Sequence, residues 1–285
     1  MRSGRLLYNF LKMLFGRGSR KGPYQRRKGP YQTKDGAWYF KDLRVAKKGP
    51  EDFVPLLGPF AKSPVAGYYR GRAVPDSDGP SFAALSDHYA KDKRDVFYCD
   101  TYRSGREYYM ILHDRTFVIE SADPATFQYL TGGYARDASR VYFKGLTFRV
   151  KDVASFTVLE YGFAKDQFTG YYDREPIAGS DGPTFTGIDS HYSKDKDRVF
   201  YSGLVYRDSG IADVKTIALA GAQPAGFVAL GSGYAKDGDI VFYDGQPVHG
   251  ANAATFRVQF GLPGGADARD DRTTYAKGWE VKVPK

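Results

Sequence analysis

The feature that most constrains this chain is an internal repeat. An aromatic, a small residue, Lys or Arg, and Asp lead through a turn into a β-branched residue and two aromatics. Tyr89-Ala90-Lys91-Asp92 leads to Val96-Phe97-Tyr98, and Tyr134-Ala135-Arg136-Asp137 to Val141-Tyr142-Phe143. Tyr192-Ser193-Lys194-Asp195 leads to Val199-Phe200-Tyr201, and Tyr234-Ala235-Lys236-Asp237 to Val241-Phe242-Tyr243. Phe163-Ala164-Lys165-Asp166 and Phe60-Ala61-Lys62-Ser63 are variants, and Lys34-Asp35 before Trp38-Tyr39-Phe40 is a loose first copy. Tyr275-Ala276-Lys277-Gly278 reads as a last half-copy. A second signature separates the copies: Asp123-Pro124-Ala125-Thr126-Phe127, Asp152-Val153-Ala154-Ser155-Phe156 and their counterparts at 78–82, 181–185 and 252–256.

A longer period lies over the short one. Residues 67–98 align without gaps to 170–201, with 16 identities in 32 positions. A three-repeat unit has been duplicated.

The residues dictate what one repeat forms. Period-two alternation puts the aromatic and Lys of the first strand on one face and Ala and Asp on the other. The Asp accepts backbone N–H groups of the following turn. The Val-aromatic-aromatic run is a strand by propensity. Two-residue hairpin turns are expected at Lys144-Gly145, Ser202-Gly203 and Asp244-Gly245, followed by third strands such as Leu146-Thr147-Phe148 and Leu204-Val205-Tyr206. The Asp-Pro-x-Thr-Phe connector reads as one helical turn, capped by Asp with Pro at its first position. Its Phe, with Leu130 or Leu159 beyond it, points into the core. The expectation is all-β: tandem three-stranded antiparallel meanders, about seven copies and a half, in a curved open array or a propeller-like arrangement. The half-copy could seal a ring by pairing with the first. The abundance of Tyr (23) and Phe (20) beside Gly (33) agrees with short strands and tight turns.

These residues resemble the DKNYY family, which is bacterial and without an agreed molecular function. Its motif stands here as Asp92-Lys93-Arg94-Asp95-Val96-Phe97-Tyr98 and Asp195-Lys196-Asp197-Arg198-Val199-Phe200-Tyr201. The resemblance covers about residues 31–283 and implies a fold rather than an activity. It departs from the family's pattern at Ser63 and Gly278.

No pattern in the chain demands catalysis. His88 and His191 occupy equivalent repeat positions, so a ring packed beside a strand start and capping a carbonyl is the better reading. No His-x-x-x-His, Cys-x-x-Cys or His-Glu motif suggests a metal, and the paired Asp residues fit turns better than a calcium loop. The lone Cys99 excludes an intramolecular disulfide and reads as an inert thiol. No cofactor and no catalytic residue is assigned. Tyrosines inside the repeat belong to the core; Tyr108 and Tyr109, in the insert 101–120, are candidate partner-binding residues.

The net charge of +9 sits at one end. Residues 1–34 hold ten basic groups and no acidic one, leaving about −1 for the rest. Leu7, Phe10, Leu11 and Leu14 fall on one face of a helix, and Arg17, Arg20, Lys21, Arg26, Arg27 and Lys28 follow it. Such an arm suits an anionic membrane surface; the competing reading is a helix that caps the array. Nucleic acid is disfavoured, because the body offers no basic groove. Residues 1–30 are thus expected to be an arm and 31–285 a repeat domain. The expected function is a non-enzymatic scaffold binding a protein partner or an envelope component. The alternatives are an enzyme with a site in the inserts 101–120 and 207–222, or a toxin-neutralising binder. The expected location is the cytoplasm or the periphery of the inner membrane, with secretion left open.

Overall fold

The computed structural model describes residues 29–46, 52–104, 111–206 and 212–281. They form eight small antiparallel sheets, each a meander whose strands hydrogen-bond in chain order. We number them units 1 to 8, at 31–46, 54–73, 83–118, 128–148, 157–176, 186–218, 228–247 and 257–280. The duplicated block is units 2–4 followed by units 5–7.

Units 2 to 8 each have four strands, one more than the motif alone suggests. The extra strand is two residues long, four in unit 7, and follows the buried connector Phe. After Phe127, for example, Gln128 and Tyr129 pair with Arg136 and Ala135. Burying the Phe fixes where the chain leaves the connector, and the next residues lie along the Tyr-Ala-Lys strand. Unit 1 has three strands, and residues 1–30 contain no connector of this pattern.

Two expectations are corrected. The segment read as a half-copy is part of a complete fourfold sheet. Tyr275 lies on the third strand, not the second, and its hydroxyl donates to Asp270 at 2.9 Å. Asp270 is therefore the turn Asp, and Lys277-Gly278 is the hairpin turn. Ser202-Gly203 is not a turn either. The chain runs straight through it, from Val199 to Tyr206, and pairs with Ala212–Ala218.

Seven hydrophobic clusters fill the seven junctions between successive units. Between units 3 and 4, Tyr89, Val96 and Tyr98 of one meet Ala135 and Tyr142 of the next, with the connector's Phe127 between them. The rings pack edge or tilted, with centroids 5.0 Å apart for Tyr89 and Tyr98 and 5.3 Å for Phe127 and Tyr142. Burying each such ring contributes about 1.5–3 kcal/mol. Within a unit the second-strand Tyr thus faces forward and the Ala faces back, as the alternation requires.

The series ends without closing. Among the described residues, no sheet and no cluster joins unit 1 to unit 8. Unit 8 carries Asp267, Thr274 and Ala276 where unit 7 has Tyr234, Val241 and Tyr243. The same face presents the exposed Trp279, opposite Ala276. The outward face of unit 1 exposes Gln32, Lys34 and Arg44, with Tyr39 half-buried and Ala37 buried among them.

Candidate interaction site

The polar residues of the motif look like catalytic material, but the structure uses them at the junctions. Asp166 accepts from the amides of Phe168 at 2.8 Å and Thr169 at 2.9 Å. Its other oxygen accepts from the amides of Lys151 and Asp152 in the preceding connector, both at 2.9 Å, and from the Tyr171 hydroxyl at 2.6 Å. Asp92, Asp137, Asp195 and Asp270 repeat the amide bonds and are likewise buried, and a Tyr hydroxyl joins them at Asp137 and Asp270, whereas Phe97 and Phe200 stand there beside Asp92 and Asp195. Ser63 substitutes by accepting from Val65 and Ala66. Burial pushes the Asp137, Asp166 and Asp270 carboxyls up, but the hydroxyl and amide donors outweigh it and hold them below the usual carboxylate range.

The motif Lys braces the connector on its other side. Lys62 Nζ donates to the Pro80 carbonyl at 2.9 Å, Lys91 to Pro124 at 2.7 Å, Lys165 to Pro183 at 3.0 Å and Lys194 to Pro224 at 2.7 Å. Arg136 does the same to Val153 and Ala154. Each connector is therefore held by the Lys before it and the Asp after it.

The motif Tyr locks the next hairpin. The Tyr89 hydroxyl donates to Gly133 O at 2.9 Å and accepts from Gly145 N at 2.8 Å. Tyr192 does so with Gly233 and Gly245, and Tyr31 with Pro59 and Gly71. The turn glycine is required twice over: Gly145 has φ +78°, and a Cβ there would come within 2.6 Å of the Tyr98 ring.

Two junctions lack this lock, because Phe60 and Phe163 stand where the others have Tyr. Units 3 and 6, which follow them, have no hairpin turn at that place. Their third and fourth strands run on as long two-stranded arms. Arm 1 pairs Val96–Tyr102 with His113–Val118, and arm 2 pairs Val199–Tyr206 with Ala212–Ala218. A turn amide is absent, so no hydroxyl is needed to receive it, and Phe suffices. The described residues of the inserts thus include the returning strands of these arms, and Ile119, Leu219 and Ala222 beyond them are core.

The arm roots share one construction. His88 stacks on Tyr98, centroids 5.9 Å apart, and its Nδ1 meets the Cys99 carbonyl at 2.9 Å. His191 stacks on Tyr201 at 6.1 Å, but its Nδ1 pairs with the Ser190 hydroxyl at 3.0 Å. The structural reading of both rings holds, with the carbonyl cap present only at His88. Cys99 is fully buried, and burial pushes its thiol up to about 12 despite a hydrogen bond with Thr116. At the root of arm 2, burial pushes the Asp244 carboxyl up against the pull of His191, the Tyr201 hydroxyl and Lys215.

Beyond the roots the arms diverge. Arm 1 is charged: Arg115 grips Asp100 with two bonds, at 3.0 and 2.6 Å, and Tyr102 stacks on His113 at 5.2 Å. Arm 2 pairs Leu204 with Val214 and Val205 with Asp213. Both expose apolar side chains: Tyr102, Ile111 and Leu112 on arm 1, Leu204 and Val205 on arm 2. Of the residues expected to bind, Leu7, Phe10, Leu11, Leu14, Arg17, Arg20, Lys21, Arg26, Arg27, Lys28, Tyr108 and Tyr109 lie outside the described residues. Among the described residues there is no group of three metal-ligating side chains, and no helix is long and apolar enough to cross a membrane.

The DKNYY family model matches residues 146–204. That stretch is a DKNYY segment. It runs from the last strand of unit 4, through unit 5, into the first half of arm 2. The repeat continues on both sides of it, since the Lys or Arg brace recurs from unit 2 to unit 7. No curated protein and no solved structure matches the chain. Sequence reasoning missed the Lys brace and the arms. The exchange of Tyr for Phe at 60 and 163, one unit before each insert, was the available signal.

Proposed function

We propose that this protein is a non-enzymatic DKNYY scaffold that binds a protein partner through its two arms. One observation carries the reading. Two hairpins extend beyond the sheets at equivalent places in the duplicated block, and their exposed apolar side chains serve no junction. The Asp, Lys and Tyr residues that could have served catalysis are engaged in holding units together. Exposed apolar groups of this kind mark interaction surfaces. The basic segment 1–34 would tether the scaffold to an anionic surface.

The test shortens each arm to the turn used elsewhere. Residues 99–116 are replaced by Lys-Gly with Phe60→Tyr, and residues 202–216 by Asp-Gly with Phe163→Tyr. Affinity capture from bacterial lysate, followed by titration of the purified partner, should show binding to the intact chain that is lost when either arm is shortened. Full binding by the doubly shortened, folded protein would refute the reading.

A further inference from the structure

The two arms are equivalent in origin but differently held. Arg70 Nε of unit 2 approaches Asp114 Oδ1 of arm 1 at 2.7 Å, and Arg72 Nε approaches Asp114 Oδ2 at 3.4 Å. The two atoms of the closer contact are sealed from solvent and are not aligned as a hydrogen bond, so the contact is an ion pair that water cannot replace. The Arg70 guanidinium also lies over the Phe40 ring of unit 1, 5.5 Å from its centroid. Arm 1 is thus tied back across unit 2 towards unit 1.

Arm 2 does not repeat this. Its position equivalent to Asp114 is Val214, which pairs with Leu204 as Asp114 pairs with Thr101. Asp173 and Glu175 of unit 5 replace Arg70 and Arg72. The duplicated site has lost the carboxylate from the arm, and the unit behind it has exchanged both cations for anions. An apolar side chain at this position cannot ion-pair with either carboxylate.

We infer that Asp114, held by Arg70 and Arg72, is a latch that fixes arm 1 against unit 2, and that arm 2 lacks this latch. The two arms are thus held differently, arm 1 by an ion pair to unit 2 that the described residues of arm 2 do not repeat. This goes beyond the binding role, since it concerns how the arms are held rather than what they hold.

Hydrogen exchange on the full chain tests it without a partner. Asp114→Asn should speed exchange of the arm 1 amides at 99–102 and 113–116 by about tenfold or more, a local opening. The arm 2 amides at 202–205 and 213–216 and the junction cores should not change. Arg70→Gln with Arg72→Gln should give the same acceleration, and all three changes together no more than either set, because both sets break one interaction. Unchanged arm 1 exchange in Asp114→Asn overturns the latch. So does acceleration spread over both arms, or additive effects in the triple variant.

Discussion

Replacing Asp166 by Ala removes the acceptor for five donors at once. Lys151 and Phe168 are exposed, so their amides can turn to water. Thr169 and Tyr171 are buried and Asp152 is half-buried, so their donors are left stranded. A stranded buried donor costs about 1–3 kcal/mol. Three such donors make the expected loss about 3 kcal/mol or more, above that of an ordinary exposed cap. Asp166→Asn, which keeps an acceptor oxygen, should lose less. Urea unfolding followed by circular dichroism gives the midpoint and slope, and exchange of the 151–156 amides locates the damage. The wild-type acid profile is a second readout of the same group. Its folded pKa lies below the unfolded value near 4, as do those of Asp137 and Asp270. Stability from these groups is present above about pH 4 and falls as pH drops through their folded values. A loss under about 1 kcal/mol in Asp166→Ala, or a flat acid profile below pH 4, would refute the reasoning.

Ser193 is fully buried with no hydrogen-bond partner for its hydroxyl, where units 2, 3, 4, 5, 7 and 8 have Ala. Ser193→Ala should raise stability by about 1 kcal/mol in the same urea assay. Tyr89→Phe strands Gly145 N and Gly133 O and should cost about 1–3 kcal/mol, whereas Phe60→Tyr alone should bring no gain, since arm 1 offers no turn amide. Both are read from melting temperatures. Cys99 should resist a thiol reagent at pH 8 in the folded protein and react at once in urea.

Most of the fold was legible because the repeat states it many times over. Alternation placed Tyr forward and Ala back, and the Asp was readable as a turn acceptor from its position before a β-branched run. The second role of that Asp was not legible. Its bond to the connector amide spans 14 residues between Asp152 and Asp166, and only three-dimensional packing sets it. The Lys brace reaches further, 33 residues from Lys91 to Pro124. The Ser202-Gly203 error has a specific cause. A dipeptide that suits a hairpin turn was overridden by seven cross-strand pairs, beginning with Phe200 and Ala218. The Tyr275 error came from matching Tyr-Ala-Lys-Gly by letters, when Asp270 carried the register. The arms themselves were visible only as extra length, and their charge pairing follows from strand register, which the sequence does not print.

The central claim is that the repeat's polar residues hold the array while the arms do the binding. Surface plasmon resonance with the captured partner tests it most directly, comparing Lys194→Ala with the arm 2-shortened protein, both confirmed folded. Lys194→Ala should lower the melting temperature and leave the Kd unchanged. The shortened protein should lose binding while it stays folded. Binding that vanishes in Lys194→Ala and survives removal of the arm would contradict the account.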